Sequence, residues 1–192
     1  AEQRKKSMKS LALGFLTSII FIYILIAIPL KSYVKPLIIM SVIPFGIIGA
    51  LMGHYIMGIP VSILSVFGIL ALSGVVVNDS LVLVCRIDDI RADGTGLLDA
   101  CRRAGADRFR AILLTSLTTF FGLAPLLLEK EVQAQFLKPM AASLAFGILF
   151  ATVITLILLP MLLIIAKDIK TTWLVLWDLG LDDSTSPRPS DE

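Results

Sequence analysis

Five apolar runs, each long enough to cross a lipid bilayer, constrain this chain more than any other feature. Crossing about 30 Å of hydrocarbon takes about 20 helical residues at about 1.5 Å each, and lipid cannot pair exposed backbone groups. The sequence therefore predicts an all-α membrane protein with five transmembrane helices. The runs lie at about residues 10–30, 36–57, 61–85, 111–128 and 137–166.

Composition excludes several functional classes. Hydrophobic residues make up 57% of the chain and charged residues 17%, whereas soluble domains are about half apolar and about a quarter charged. A net charge of +2, with basic residues in short blocks, gives no reason to expect a nucleic-acid partner. Cys85 and Cys101 form no CxxC motif, so no metal site or disulfide framework is predicted. Hydrolytic motifs and phosphate-binding glycine loops are also missing, so we expect neither an enzyme nor a cofactor.

The polar segment after the third run has a helical pattern of its own. Residues 92–96 predict a turn, and apolar residues recur on one helical face over about 96–106. We expect a short amphipathic helix on the membrane surface between the third and fourth spans. Its apolar residues are Leu97, Leu98, Cys101 and Ala104.

The end of the chain carries two further predictions. Trp173 and Trp177 are four residues apart, which favours an interfacial helix over 169–179 with its rings at the lipid headgroups. Residues 180–192 are polar and are predicted to be disordered.

Lysine and arginine predict the orientation of the spans, because cytoplasmic loops carry an excess of them. The side that holds the N-terminus carries six lysine and arginine residues. Four of them lie before residue 10 and argue against the orientation that the total count gives. The opposite side holds more and is predicted to be cytoplasmic, with the C-terminus. Its basic residues are Lys31, Lys35, Arg86, Arg91, Arg102, Arg103, Arg108, Arg110, Lys167, Lys170 and Arg188.

The second run is suited to close helix packing. Gly46, Gly49 and Gly53 lie on it, and the last two form a small-xxx-small pair that allows another helix to approach. Pro44 removes a backbone donor from the same run and predicts a kink.

Asn78 and Asp79 interrupt the third run near its middle. An Asp at the centre of a membrane helix costs roughly 2.5 to 3.5 kcal/mol on insertion scales, so such residues usually face a partner or a water-filled path. This makes Asp79 a candidate functional residue. The alternative is a structural hydrogen-bonding group, or a carboxylate hydrated near the membrane surface.

Residue counting places hydroxyl groups at the depth of Asp79. Asp79 lies about 10 Å inside Arg86, and Thr115 lies about 8 Å inside Arg110 on the following antiparallel span. If the two spans face one another, Asp79 could meet Thr115 and Ser116, an arrangement suited to proton uptake and release. The alternative is that these hydroxyls donate to carbonyls of their own helix.

At these residues the chain resembles the resistance-nodulation-division superfamily of proton-driven efflux transporters, and within it the last five transmembrane helices of the hydrophobic and amphiphilic exporter branch. The resemblance covers about residues 10–168. It is carried by the stretches ILSVFGILALSGVVVNDSLVLV, RRAGADRFRAILLTSLTTFFGLAPLLLE and QFLKPMAASLAFGILFATVITLILLPML.

The resemblance implies a bacterial inner-membrane pump that exports drugs or other amphiphiles by proton antiport, with protons as the coupling ion and no cofactor. It also implies a homotrimer in membrane lipid, joined by a periplasmic adaptor and an outer-membrane channel. This chain would be the C-terminal part, would lack the N-terminal half, and would begin with the end of a periplasmic segment at residues 1–9. Lipid or protein export on the same helices, or a non-transporting membrane fragment, stay open as alternatives.

The resemblance also implies roles for individual residues. Many family members place a Lys at the position of Asn78 and an Asn at that of Asp79, so the family's Lys–Asp switch is altered here. Thr115 matches a Thr of the family's proton relay, and Arg108 matches an Arg at the cytoplasmic end of the next helix. We therefore expect a proton-coupling site formed by Asn78, Asp79, Thr115, Ser116 and Arg108.

Overall fold

A computed structural model describes residues 2–182 as a bundle of α helices, with no strand among them. Five segments are long and apolar enough to cross a membrane, the second formed by α2 and α3 together. The predicted all-α fold with five spans is confirmed. The helices are α1 Glu2–Leu30, α2 Val34–Met40, α3 Ile43–Met57, α4 Ile63–Ala92, α5 Leu97–Leu128 and α6 Val132–Asp182.

Pro44 divides the second span into two helices. α2 ends at Met40, and Pro44 lies in the first turn of α3, where a missing N–H costs least. The Ser41 hydroxyl donates to the Ile38 carbonyl at 2.6 Å, which satisfies one carbonyl near the break. The kink predicted at Pro44 is thus a break of two residues.

Two helices are longer than the sequence patterns predict. The expected surface helix over 96–106 is the first part of α5, because no glycine turn or proline separates it from the fourth span. Three of its four predicted apolar residues, Leu97, Cys101 and Ala104, are buried in the bundle, whereas Leu98 is exposed. Likewise α6 continues through 169–179 and ends at Asp182, and residues 183–192 of the predicted tail lie outside the described part of the chain.

α6 is the helix against which most of the bundle packs, since it contacts α2, α3, α4 and α5. Glycines on α3 and α4 allow these helices to lie close to α6. A Cβ atom added to Gly49 or Gly53 of α3 would collide with Phe150 or Phe146 of α6. On α4, a Cβ at Gly68 would collide with the α6 backbone and lie 2.8 Å from the Cβ of Ser143.

One end of the bundle collects the basic residues. The ends of α1 and α4, the starts of α2 and α5, and the end of the fifth span all lie there, because successive spans alternate in direction. We call this region, formed by residues 31–35, 86–110 and 163–169, the basic end. It contains the ion pairs Lys35–Asp88 and Arg86–Asp107, each with an N–O distance of 2.7 Å.

Alanine substitutions at two of the glycines should change the stability of the protein in opposite directions. Gly49→Ala should lower the unfolding midpoint of the protein in detergent, because overpacking against Phe150 costs about 1 to 3 kcal/mol. Gly122→Ala on α5 is the matched control, since a Cβ there meets nothing within 4 Å and Ala favours a helix by up to about 1 kcal/mol. Equal midpoints for the two variants would contradict the close approach of α3 and α6.

Candidate functional site

The Asn78–Asp79 pair lies in the middle of α4, at the edge of the bundle. The Asn78 side chain is exposed, Asp79 is half-buried, and the next residue, Ser80, is fully buried. Within residues 2–182, no cation and no hydrogen-bond donor is paired with the Asp79 carboxylate. α4 therefore holds a carboxyl group at membrane depth without a fixed partner.

The Arg86–Asp107 ion pair marks the register between α4 and α5. Arg86 donates to one Asp107 oxygen through Nη2 at 2.7 Å and through Nε at 3.0 Å. Because the helices run in opposite directions, moving seven residues from each partner leads to Asp79 on α4 and Leu114 on α5, about 10 Å deeper in the span. Asp79 therefore lies level with Leu114 and Thr115.

The hydroxyl groups near this level bond to their own helix. Thr115 donates to the Ala111 carbonyl at 3.0 Å, Thr118 to the Leu114 carbonyl at 2.8 Å, and Thr119 to the Thr115 carbonyl at 2.8 Å. This is the usual arrangement for threonines within helices. The structure places these residues on the helix beside Asp79 but shows no hydrogen bond from them to its carboxylate.

Ser116 and Arg108, the other expected site residues, lie elsewhere on α5. Ser116 is buried, and its hydroxyl bonds to the Ile112 carbonyl at 3.0 Å and to the Thr152 hydroxyl of α6. One helical residue turns the side chain by about 100°, which separates Ser116 from the face of Thr115. Arg108 is half-buried at the basic end, where its Nε atom has no partner among the described residues.

A buried hydrogen-bonded chain joins α3 to α4 at the end opposite the basic end. His54 Nδ1 lies 3.0 Å from the Ala50 carbonyl, which can only accept, so this nitrogen carries a proton. His54 Nε2 lies 2.7 Å from Ser65 Oγ, which in turn accepts the Ser62 N–H at 3.0 Å. Sequence reasoning missed this contact, because the partner of His54 is eleven residues away and no local pattern indicates it.

The register can be tested by cross-linking. With Cys85 and Cys101 changed to Ala, cysteines replacing Asp79 and Thr115 should react with a short bifunctional maleimide several-fold faster than cysteines replacing Asp79 and Gly122. The reason is that residue 122 lies about 10 Å further along α5. Faster coupling of the 79 and 122 pair would show that the helices are shifted relative to the Arg86–Asp107 register.

Comparison with known proteins places this architecture in a family. The model of the AcrB/AcrD/AcrF family matches residues 1–167. Swarming motility protein SwrC of Bacillus subtilis (strain 168) is 33% identical over 155 residues, which cover 80% of this chain and 15% of that protein. Multidrug resistance protein MdtC of Pectobacterium atrosepticum is 31% identical over 172 residues, covering 89% of this chain and 17% of that protein.

Two further similarities concern metal transport. Cobalt-zinc-cadmium resistance protein CzcA of Cupriavidus metallidurans is 30% identical over 161 residues, covering 84% of this chain and 15% of that protein. A crystal structure of a heavy metal efflux pump, at 23% identity, has the same fold over 87% of this chain and 17% of its own, with a TM-score of 0.79. The chain spans 15% to 17% of these relatives. The chain belongs to the AcrB/AcrD/AcrF family, within the resistance-nodulation-division efflux transporters.

Proposed function

We propose that this chain is the C-terminal membrane portion of an efflux pump that exports drugs or other amphiphiles in exchange for protons. The observation that carries the proposal is a polar strip on α4 and α5, formed by Asn78, Asp79, Thr115 and Thr118. Asp79 is half-buried and the other three side chains are exposed, at a depth where lipid would leave them poorly solvated. Asn78 and Asp79 favour a protein surface or a water-filled path beside the strip, whereas the two threonine hydroxyls already donate to carbonyls of α5.

The rest of an intact transporter would supply that neighbour. The matched segments make up 15% to 17% of these relatives, so most of a family transporter lies outside this chain. Coupling-ion sites in secondary transporters lie near the bilayer midplane, where two structural repeats meet. The polar strip has the depth and the composition for such an interface.

Asp79 is suited to carry the proton because no charged group among the described residues is paired with it. A nearby opposite charge favours the ionised form of a carboxyl group, whereas a carboxylate without such a partner gains a proton more readily when its surroundings exclude water. Asn78 can donate to and accept from a facing carboxylate, and its neutral side chain lets the α4 surface move past one. Thr115 and Arg108 would line the path between this position and the basic end.

Relative to the family pattern, replacing Lys-Asn with Asn-Asp changes the local charge from +1 to −1. A transporter with this pair cannot use a lysine cation to neutralise the carboxylates of the other half. Protonation of Asp79 would take its place, so that the proton itself removes the charge repulsion when the two halves approach.

The same family likeness extends the proposal to location and partners. We place the protein in the bacterial inner membrane, with the basic end in the cytoplasm and the N-terminus in the periplasm. Assembly as a homotrimer with a periplasmic adaptor and an outer-membrane channel follows from the family resemblance.

Metal-cation export is the second candidate function. It is favoured by the similarity to CzcA and to the heavy metal efflux pump. The two candidates differ in cargo, and the membrane helices described here serve either one. Transport of an amphiphilic dye and of Zn²⁺ by the same vesicles would separate them.

A transport measurement tests the proposed role of Asp79. In vesicles containing the intact transporter, Asp79→Asn should reduce dye export driven by a pH gradient at least tenfold, because the variant cannot bind the coupled proton. The matched control is Asp89→Asn, which removes an exposed carboxylate at the basic end. This variant should export at the wild-type rate. Wild-type export by Asp79→Asn, at equal protein abundance, would show that Asp79 is structural.

A further inference from the structure

A large cavity opens at the basic end, away from the polar strip. Its volume is about 810 Å³, within the range of about 300 to 1,000 Å³ that small-molecule sites have. It lies between α2, α4, the start of α5 and the end of the fifth span. Seven of its twelve lining residues are apolar, and the others carry a hydroxyl group or a charge.

The apolar part of the lining is continuous with the core of the bundle. Ile87 of α4, Leu97 of α5 and Leu163 of α6 are all buried, and all three belong to the main cluster of buried apolar side chains. Three helices therefore form this wall together. Water in such a cavity would face aliphatic groups that offer it no hydrogen bonds, so an organic ligand with an apolar body is the more favourable occupant.

The charged part of the lining is largely compensated. Lys35 Nζ lies 2.7 Å from both carboxylate oxygens of Asp88, so this pair carries no net charge. Its oxygens and N–H groups can still exchange hydrogen bonds with an uncharged ligand. Lys167 also interacts within the chain, and Arg91 is exposed. A ligand with a net charge would lose its hydration here without gaining a buried counter-ion.

The cavity lies where the bundle meets the headgroups of the membrane. Arg91 is one residue before the end of α4, and Leu97 begins α5. The α6 residues that line the cavity lie between 163 and 169, at the end of the fifth span. The polar group of a ligand would thus be level with the headgroups, and its apolar body would point into the bundle.

We propose that this cavity binds an amphiphile whose polar group has no charge, such as an alcohol, an ester or an aromatic amine. The polar group would lie at the Lys35–Asp88 pair, and the apolar body would lie against Ile87, Leu97 and Leu163. The size and the apolar wall select an organic molecule over an ion, and the compensated charges select an uncharged polar group over a phosphate or an ammonium group. Binding here needs no proton coupling, so this inference and the proposed function can fail separately.

Protection of an introduced cysteine can test the proposal in the intact transporter, with all native cysteines changed to Ala. Ala166→Cys places a thiol in the lining, and Ala106→Cys places one at an exposed position of the basic end outside the cavity. The uncharged probe N-phenyl-1-naphthylamine should slow the reaction of N-ethylmaleimide with the thiol at position 166 several-fold, because the bound probe covers it. The reaction at position 106 should keep its rate.

A second probe isolates the effect of charge. The anion 8-anilino-1-naphthalenesulfonate has the same rings and adds a sulfonate group, so it should protect position 166 several-fold less well than N-phenyl-1-naphthylamine does. The reason is that no unpaired buried cation in the lining compensates the sulfonate. Equal protection by the two probes, or equal slowing at positions 166 and 106, would overturn the proposal.

Asp88→Asn gives a gain that misfolding cannot imitate. It removes the partner of Lys35 and leaves a cation beside the cavity, so the sulfonate probe should protect position 166 several-fold better than before the substitution. The matched control is Asp89→Asn, which removes an exposed carboxylate outside the lining and should leave the protection unchanged. Equal protection by the sulfonate probe in the two variants would overturn the role of the ion pair in choosing the ligand.

The same labelling distinguishes a ligand from another segment of the intact transporter as the occupant. A thiol at position 166 that N-ethylmaleimide does not reach when no probe is present would show that protein fills the cavity, and would overturn ligand binding. Reaction without a probe, together with slowing by N-phenyl-1-naphthylamine, supports the proposal.

Discussion

Close contact between α6 and the small residues of α3 and α4 is the interaction on which the rest of this structure depends. Lipid tails are as apolar as leucine, so burial of apolar surface does little to hold membrane helices together, and van der Waals packing at short range has to do so. Gly49 and Gly53 lie against Phe150 and Phe146, and Gly68 lies against the α6 backbone. The hydroxyl contact between Ser116 and Thr152 brings α5 to the same helix.

Polar groups are distributed unequally along the depth of the bundle. At the basic end, the charges of Lys35 and Arg86 are matched by acidic partners on neighbouring helices. At the opposite end, His54 and Ser65 satisfy each other. Asp79, between these levels, has no such partner in the described chain. Polar contacts between helices thus lie at both ends of the bundle. The mid-span carboxylate of Asp79 is left available to a neighbour from outside this chain.

Sequence patterns predict how deep a residue lies in the membrane better than they predict which neighbouring helix its side chain faces. The apolar runs gave five spans, and Pro44 marked the break between α2 and α3, because membrane thickness and the missing proline donor act locally. The continuity of α5 was not predicted, since charged residues suggested an interface where the helix continues. The position of Ser116 against α6 and the His54–Ser65 contact depend on the rotation of helices about their axes. That rotation is set by packing between residues distant in sequence.

The role proposed for Asp79 requires the polar strip on α4 and α5 to face protein or water rather than lipid. Spin labels at position 78 and at Ile157, an exposed residue of α6, can be compared in the intact transporter in lipid vesicles by their relaxation with oxygen, which concentrates in the bilayer core. We expect the label at position 78 to be several-fold less accessible to oxygen than the label at position 157. Equal accessibility at the two positions would mean that the strip faces lipid, and would rule out this role for Asp79.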